Sequence, residues 1–243
     1  LAIFFFLCCI MLSISLMGLF VVKGALTTQD KDESTKKLSE TVIGGSGPDK
    51  ILLIPLKGLI SGQSAKKLFQ ETPSIVDSVK QQLEQARNDN DIKAVILEIN
   101  SPGGGITASD IIYKKVLEFK EETNKKVIVC MQDVAASGAY YISAAADKII
   151  SHPTTITGSI GVIMPLINIA SLVEKYGIED NSIKSGDMKG IGSPLKKMSD
   201  AEREVLYDIV DEMYTRFVNI IAVGRNMEIE DVKRLADGRI YTG

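Results

Sequence analysis

Lys126-Val127-Ile128-Val129-Cys130-Met131-Gln132-Asp133-Val134-Ala135-Ala136-Ser137-Gly138-Ala139-Tyr140-Tyr141 runs from a β-branched apolar stretch into a string of small residues. Lys126 to Gln132 has the composition of a buried strand, and the residues after Ser137 suit a short helix. Ser137 therefore stands at a strand-to-helix turn, where a hydroxyl is presented at the mouth of a sheet. A small residue at a tight turn needs no chemistry to explain it, so the meaning of Ser137 depends on its surroundings.

The preceding stretch repeats the pattern. Ile92 to Ile99 predicts a short buried strand, and Ser101-Pro102-Gly103-Gly104-Gly105 a turn. Thr107-Ala108-Ser109-Asp110 resembles a capping box that opens a helix to about Glu122. Upstream, Ile51 to Ile60 is an apolar run broken by Pro55, which suits a strand near a sheet edge. Thr72-Pro73 supplies an N-cap and a first helical residue, and Ile75, Val79, Leu83 and Ala86 mark one helical face. Strand, helix, strand, helix with short links predicts parallel pairing and an α/β layered architecture. Downstream, Asp147 to Ser151 and Gly161 to Met164 are strand-like, and Ile169 to Tyr176 is helical. Ser199-Asp200-Ala201-Glu202 is a capping box for a long helix to about Val223, and a short helix spans about Ile229 to Ala236. No internal repeat is visible. Arg239-Ile240-Tyr241-Thr242 breaks off in mid-element, so we expect the domain to continue past Gly243.

The residue inventory narrows the chemistry. The 243 residues carry a net charge of -3, with both signs mixed and no basic stripe of the kind that binds nucleic acid. Of three cysteines, Cys8 and Cys9 lie in an apolar run and Cys130 in the predicted strand, so there is neither a disulfide framework nor a zinc motif. No metal or other cofactor is implied. With one histidine in the chain, a lysine is the available base for a serine nucleophile, and Lys189 follows in Ile183-Lys184-Ser185-Gly186-Asp187-Met188-Lys189. A solvated lysine is protonated at neutral pH, so this reading requires Lys189 to be desolvated beside apolar groups. The glycines at 103–105 follow a strand end and aim backbone N–H groups outward. Two adjacent strand-to-helix loops then converge on the carboxyl edge of a parallel sheet, which assigns the Gly104 and Gly138 N–H groups as oxyanion donors.

Asn100-Ser101-Pro102-Gly103-Gly104-Gly105, Ala135-Ala136-Ser137-Gly138, Thr157-Gly158-Ser159-Ile160-Gly161-Val162 and Ile183-Lys184-Ser185-Gly186 with Lys189 occur in one order. That order resembles the signal peptide peptidase A family, membrane-anchored bacterial serine proteases of the Clp-protease/crotonase superfamily. The stretch 193–203 is also similar, the resemblance covers about Lys50 to Gly243, and the length suits the short, single-repeat form. It implies an α/β superhelix of ββα units. Carried over by position, it implies Ser137 as nucleophile, Lys189 as general base, Gly104 and Gly138 as the oxyanion hole, and Ser159 as the residue that orients the lysine. A serine after Gly158 also suits a plain turn. Lys184 is the rival base. Two positions depart from the family pattern: Ala139 replaces a second glycine, and Gly190 replaces an acidic residue. The resemblance further implies remnant signal peptides and other apolar polypeptides as substrates, and a homo-oligomeric ring, and it leaves open whether the serine and lysine of one site come from one subunit or from two neighbours.

Leu1 to Val22 is apolar and uncharged, long enough to cross a bilayer core, and we expect a retained transmembrane helix rather than a cleaved leader. Residues 23–48 form a polar tether ending in Gly44-Gly45-Ser46-Gly47-Pro48, which lacks the spacing of a phosphate loop. The peptidase domain is then 49–243, with both chain ends expected to continue. By resemblance the enzyme sits in the cell membrane as a single-pass protein, its domain on the extracytoplasmic side. Three rivals stay open: a Ser-His-Asp triad through His152, an acyl-CoA hydratase or hydrolase on the same fold, and an inactive membrane scaffold. Tyr140 and Tyr141 suit packing on a helix better than a substrate cleft.

Overall fold

The computed structural model describes residues 38–67 and 70–243. The expected transmembrane helix at 1–22 and the tether up to residue 37 lie outside the described residues. Among the described residues no helix is long and apolar enough to cross a membrane. The chain divides into Leu1–Val42 and Ile43–Gly243. In the first unit, the described residues 38–42 carry no helix or strand.

The second unit begins with strand β1 (Lys50–Lys57), a small hairpin of β2 (Ala65–Lys67) and β3 (Gln70–Thr72), and helix α1 (Ile75–Asn88). Then come β4 (Ile92–Ser101), α2 (Ile106–Thr123), β5 (Lys126–Ala136), α3 (Gly138–Ser143), β6 (Lys148–Ser151) and β7 (Ile156–Gly158). The remainder is α4 (Ala170–Lys175), a 3-10 turn (Asp187–Gly190), α5 (Asp200–Arg225), α6 (Ile229–Leu235) and β8 (Ile240–Thr242).

The sheet is mixed, in the order β1-β4-β5-β7-β8, with β6 also paired to β5. β1, β4, β5, β6 and β7 pair in parallel, and β8 runs antiparallel to β7. β1 continues through Pro55, which an edge strand tolerates because one side needs no ladder hydrogen bonds. One sheet face is sealed. Ile54, Leu56, Val95, Leu97, Ile99, Val127 and Val129 point into a core shared with Val79 and Leu83 of α1 and with Ile112, Val116 and Phe119 of α2. The opposite face carries half-buried Ile96, Ile128 and Cys130, beside exposed Ile51 and Ile150.

Several local expectations are corrected. Ser74, not Thr72, caps α1: its side chain accepts from the Asp77 N–H, while Thr72 ends β3. Thr107 does not cap α2, because the helix already starts at Ile106 with Gly105 as N-cap and no side-chain cap bond. Gly161 to Met164 is not a strand; the strand lies earlier, at Ile156–Gly158, where β5 and β8 supply partners on both sides. The Ser199 capping box is present as expected, with Ser199 and Glu202 bonded reciprocally.

Candidate active site

β5 is longer than its apolar run because it changes partners along its length. Ile128 to Met131 pairs with β6, and Val134 to Ala136 pairs with β7. Between these segments the pairing with β4 slips, so that Ile99 faces Met131 but Ser101 faces Ala135. Such a bulge bends a strand and re-aims the residues beyond it. Its polar groups are satisfied by side chains. Asn100 accepts from the Val134 N–H at 3.3 Å and donates to Asp133 at 3.1 Å. The buried Thr155 hydroxyl donates to the Gln132 carbonyl at 2.7 Å, and Thr157 donates to the Ala135 carbonyl at 2.8 Å.

The bent strand delivers Ser137 in a sparsely populated conformation, φ 53° and ψ -122°. For a residue with a Cβ this costs about 1–3 kcal/mol and persists only where the surroundings enforce it. They do so from two sides: the Ser137 N–H donates to Gly158 O at 2.9 Å, and its carbonyl accepts from the Tyr141 N–H at 3.0 Å. The Ser137 side chain is partly exposed and has no hydrogen-bond partner among the described residues.

The glycine loop closes on this turn. Gly104 bridges Ile60 in parallel fashion, with the Ile60 N–H donating to Gly103 O at 2.8 Å and the Gly105 N–H donating to Ile60 O at 2.9 Å. In that pattern the N–H of Gly104 itself points away from Ile60. Gly104 has φ +157°, and a side chain there would collide with the Ile60 backbone. Gly138 opens α3, where first-turn N–H groups lack helical partners. A Cβ on Gly138 would lie 3.3 Å from the Gly104 nitrogen and run into the Ser109 hydroxyl. The fold thus brings Ser137, Gly138 and Gly104 together.

It does not bring Lys189 to them within one chain. Lys189 lies in the exposed 3-10 turn, and no hydrogen bond joins it to Ser137 or Ser159 among the described residues. Ser159 is nearer. It takes a left-handed conformation, φ 51°, directly after Gly158, and its N–H donates to Arg239 O at 2.8 Å. Lys184, the rival base, pairs with Asp180 at 3.3 Å. The Asp180 carboxyl is held below its ordinary value by hydrogen bonds from the Ser182 hydroxyl and N–H and from Lys184. Lys184 lies over Gly190, where a Cβ would be 3.0 Å from its Nζ. His152 sits in a turn after β6, its Nδ1 2.8 Å from the Thr154 hydroxyl, without a bond to Ser137. Ala139 and Tyr141 are buried, while Tyr140 accepts from Arg225 at 3.3 Å.

Sequence reading missed the side chains that shape the site without entering it: Asn100, Thr155, Thr157 and Ser109. Short polar residues beside a turn carry no local sign that their partners lie on another strand.

A mixed, mainly parallel α/β sheet with a strained serine turn and a glycine loop at its carboxyl edge fits a Clp-type peptidase domain. The sequence profile described as Clp protease matches residues 69–158, and that of Peptidase family S49 matches residues 119–243. This chain belongs to Peptidase family S49. It is 40% identical over 210 residues to a protein of Enterococcus faecium that carries the name signal peptide peptidase SppA, covering 86% of this chain and 61% of that one. It is 34% identical to Protease 4 of Haemophilus influenzae, covering 81% and 31% of the two chains. Serine protease SPPA, chloroplastic, of Arabidopsis thaliana is 31% identical, with 88% and 31% covered. The chain thus spans less than two thirds of the length of these relatives.

Proposed function

We propose that the protein is a membrane-anchored serine endopeptidase that hydrolyses remnant signal peptides and other apolar polypeptides. The observation that carries this reading is the strained Ser137 turn held against the Gly104 loop. Lys189 Nζ takes the Ser137 Oγ proton as Oγ attacks the scissile carbonyl. The Gly104 and Gly138 N–H groups donate to the resulting oxyanion, and Ser159 orients the lysine. Collapse expels the amine, which receives the proton from Lys189 and leaves an acyl-enzyme. Water, deprotonated by Lys189, attacks the ester, and Ser137 recovers its proton as the acid product leaves. Residues 1–22 anchor the enzyme in the cell membrane, 23–48 are its tether, and the domain from 49 onward lies on the extracytoplasmic side. The domain winds as a superhelix of ββα units, a reading supported by the division of β5 between β6 and β7.

The same proposal includes a homo-oligomeric ring. Residues 160–198 expose many apolar side chains, among them Ile163 at 83% and Ile167 at 79%. Met164, Leu166 and Ile167, with Met198, Leu206 and Tyr207, border a groove of about 550 Å³. An apolar surface of this extent favours association. A neighbouring copy packed against the exposed turn that carries Lys189 would desolvate it, which a lysine base requires.

The test uses the full-length protein with an apolar signal-peptide substrate and a fluorophosphonate serine reagent. Ser137→Ala and Lys189→Ala are each expected to abolish cleavage with assembly intact, and the reagent to label Ser137. Mixing the two inactive variants is expected to restore part of the activity, as a shared site requires. Retained cleavage by Lys189→Ala would move the base to Lys184 or His152. An unlabelled, inactive but assembled wild type would overturn the peptidase reading.

A further inference from the structure

We propose that Asp110 and Tyr141 are positioning residues that set the spacing between the two oxyanion donors, Gly104 and Gly138. The inference rests on the catalytic reading above and goes beyond it, because neither side chain reaches the reacting atoms.

The two donors sit on separate elements. Gly104 lies two residues before the start of α2, and Gly138 is the first residue of α3. α3 has six residues, too few for a helix to hold its own place, so tertiary anchors determine where its N-terminus lies. Tyr141 is the anchor toward α2. Its phenol donates to Asp110 Oδ1 at 2.7 Å. Tyr141 lies within one turn of Gly138, and Asp110 stands in the second turn of α2, so a displacement at this tie is carried to both donors.

The tie is braced from a third element. Arg216 of α5 donates to Asp110 Oδ1 from Nη2 at 2.6 Å and from Nε at 3.1 Å, and Nε also lies 3.2 Å from the Tyr141 hydroxyl. Lys114 pairs with the other carboxylate oxygen at 3.0 Å. The Tyr141 ring is buried between Tyr113, at 5.4 Å edge-to-face, and Phe217, at 4.9 Å. Aromatic packing alone would hold the ring in its slot but allow it to slide. The hydroxyl-to-carboxylate bond fixes the height of α3 along α2. Charge-assisted bonds of this kind are short and directional.

Tyr141→Phe in the full-length protein removes one oxygen and keeps both ring contacts. Asp110→Asn, a second variant, keeps the side-chain shape. The readouts are kcat, KM, melting temperature, and affinity for a peptide aldehyde against that for the matching peptide alcohol. The aldehyde adds to Ser137 and places an oxygen on the donors; the alcohol binds without doing so. Misplacing a reacting group by a fraction of an ångström is expected to lower kcat and aldehyde affinity together by about 10-fold. KM and alcohol affinity stay within about twofold, since uniform binding is untouched. Lys115→Ala, which breaks only the exposed pair with Glu118 on the same helix, is expected to match the wild type. If kcat per labelled Ser137 and aldehyde affinity are unchanged in both variants, the tie is overturned while the peptidase reading stands. Equal losses of aldehyde and alcohol affinity would also overturn it, by showing a general structural effect. If wild-type Ser137 forms no adduct, the catalytic reading fails and this inference fails with it.

Discussion

Gly103→Ala is expected to damage the site although Gly103 itself does no chemistry. Gly103 has φ +99°, and an added methyl would lie 2.7 Å from the Gly138 nitrogen, 2.8 Å from the Ala136 oxygen and 2.8 Å from Ser137 Cβ. All three atoms belong to the turn that presents Ser137, and two are backbone atoms that cannot rotate aside. Left-handed backbone with a side chain costs about 1–3 kcal/mol. Overpacking against fixed neighbours costs about 1–3 kcal/mol more. The sum, about 2–6 kcal/mol, is a large part of the stability of about 5–15 kcal/mol typical of a domain. Whatever fraction is relieved by movement separates Ser137 from the Gly104 loop, so fluorophosphonate labelling of Ser137 is expected to slow by about 10–100-fold. Gly105→Ala is the control. Its Cβ would meet Ile60 O at 3.7 Å and Ala108 Cβ at 3.8 Å, ordinary contacts, so only the weaker N-cap propensity of alanine is lost, at about 0.5–1 kcal/mol. Thermal melting and labelling rate are measured on all three proteins. Wild-type melting and labelling in Gly103→Ala would refute the argument that the loop and the serine turn are in contact.

Three other outcomes are expected. Thr155→Val removes the hydroxyl that bonds Gln132 O and accepts from the His152 N–H, and is expected to lower stability by about 1 kcal/mol in denaturant titration. Ser199→Ala breaks the capping box of α5 and is expected to cost about 1 kcal/mol by the same measurement. Acidification is expected to destabilise the fold through Asp110 and Asp147. Burial raises the Asp147 carboxyl, but the Val127 N–H, Lys126 and Lys120 outweigh it and hold it below the ordinary carboxylate range. Burial likewise opposes Tyr141, Arg216 and Lys114 at Asp110, with the same net lowering. A carboxyl lowered in the folded state contributes stability in full above the unfolded value and loses it as pH falls through the folded one. Melting temperature followed downward from about pH 5 is expected to fall, and less steeply in Asp147→Asn.

Interactions closed within a few residues were legible in the chain. The Ser199–Glu202 box, the apolar face of α1 and the β-branched strands at 92 and 126 follow from neighbours in sequence, because their partners lie one helical turn or one pleat away. The glycines at 103–105 and Ser137-Gly138 were legible as backbone that something must approach closely. Local reading misplaced two helix starts, at Thr72 and Thr107, because Ser74 and Gly105 are fixed by where a strand or loop ends, not by the best capping residue nearby.

The tertiary structure decided how segments far apart in sequence meet. The bulge in β5 exists because β6 and β7 compete for different lengths of one strand, and the side chains that satisfy it come from β4 and β7 or its approach. The strain at Ser137 is held by the Gly158 carbonyl, whose own strand is in turn clamped by β8. The sequence offered serine, glycine and lysine as candidate chemical groups. Only packing could decide that the glycines close on the serine while Lys189 stays exposed, since a hydrogen bond or a desolvated charge depends on distance in space, and residue order leaves that distance open until the core is formed.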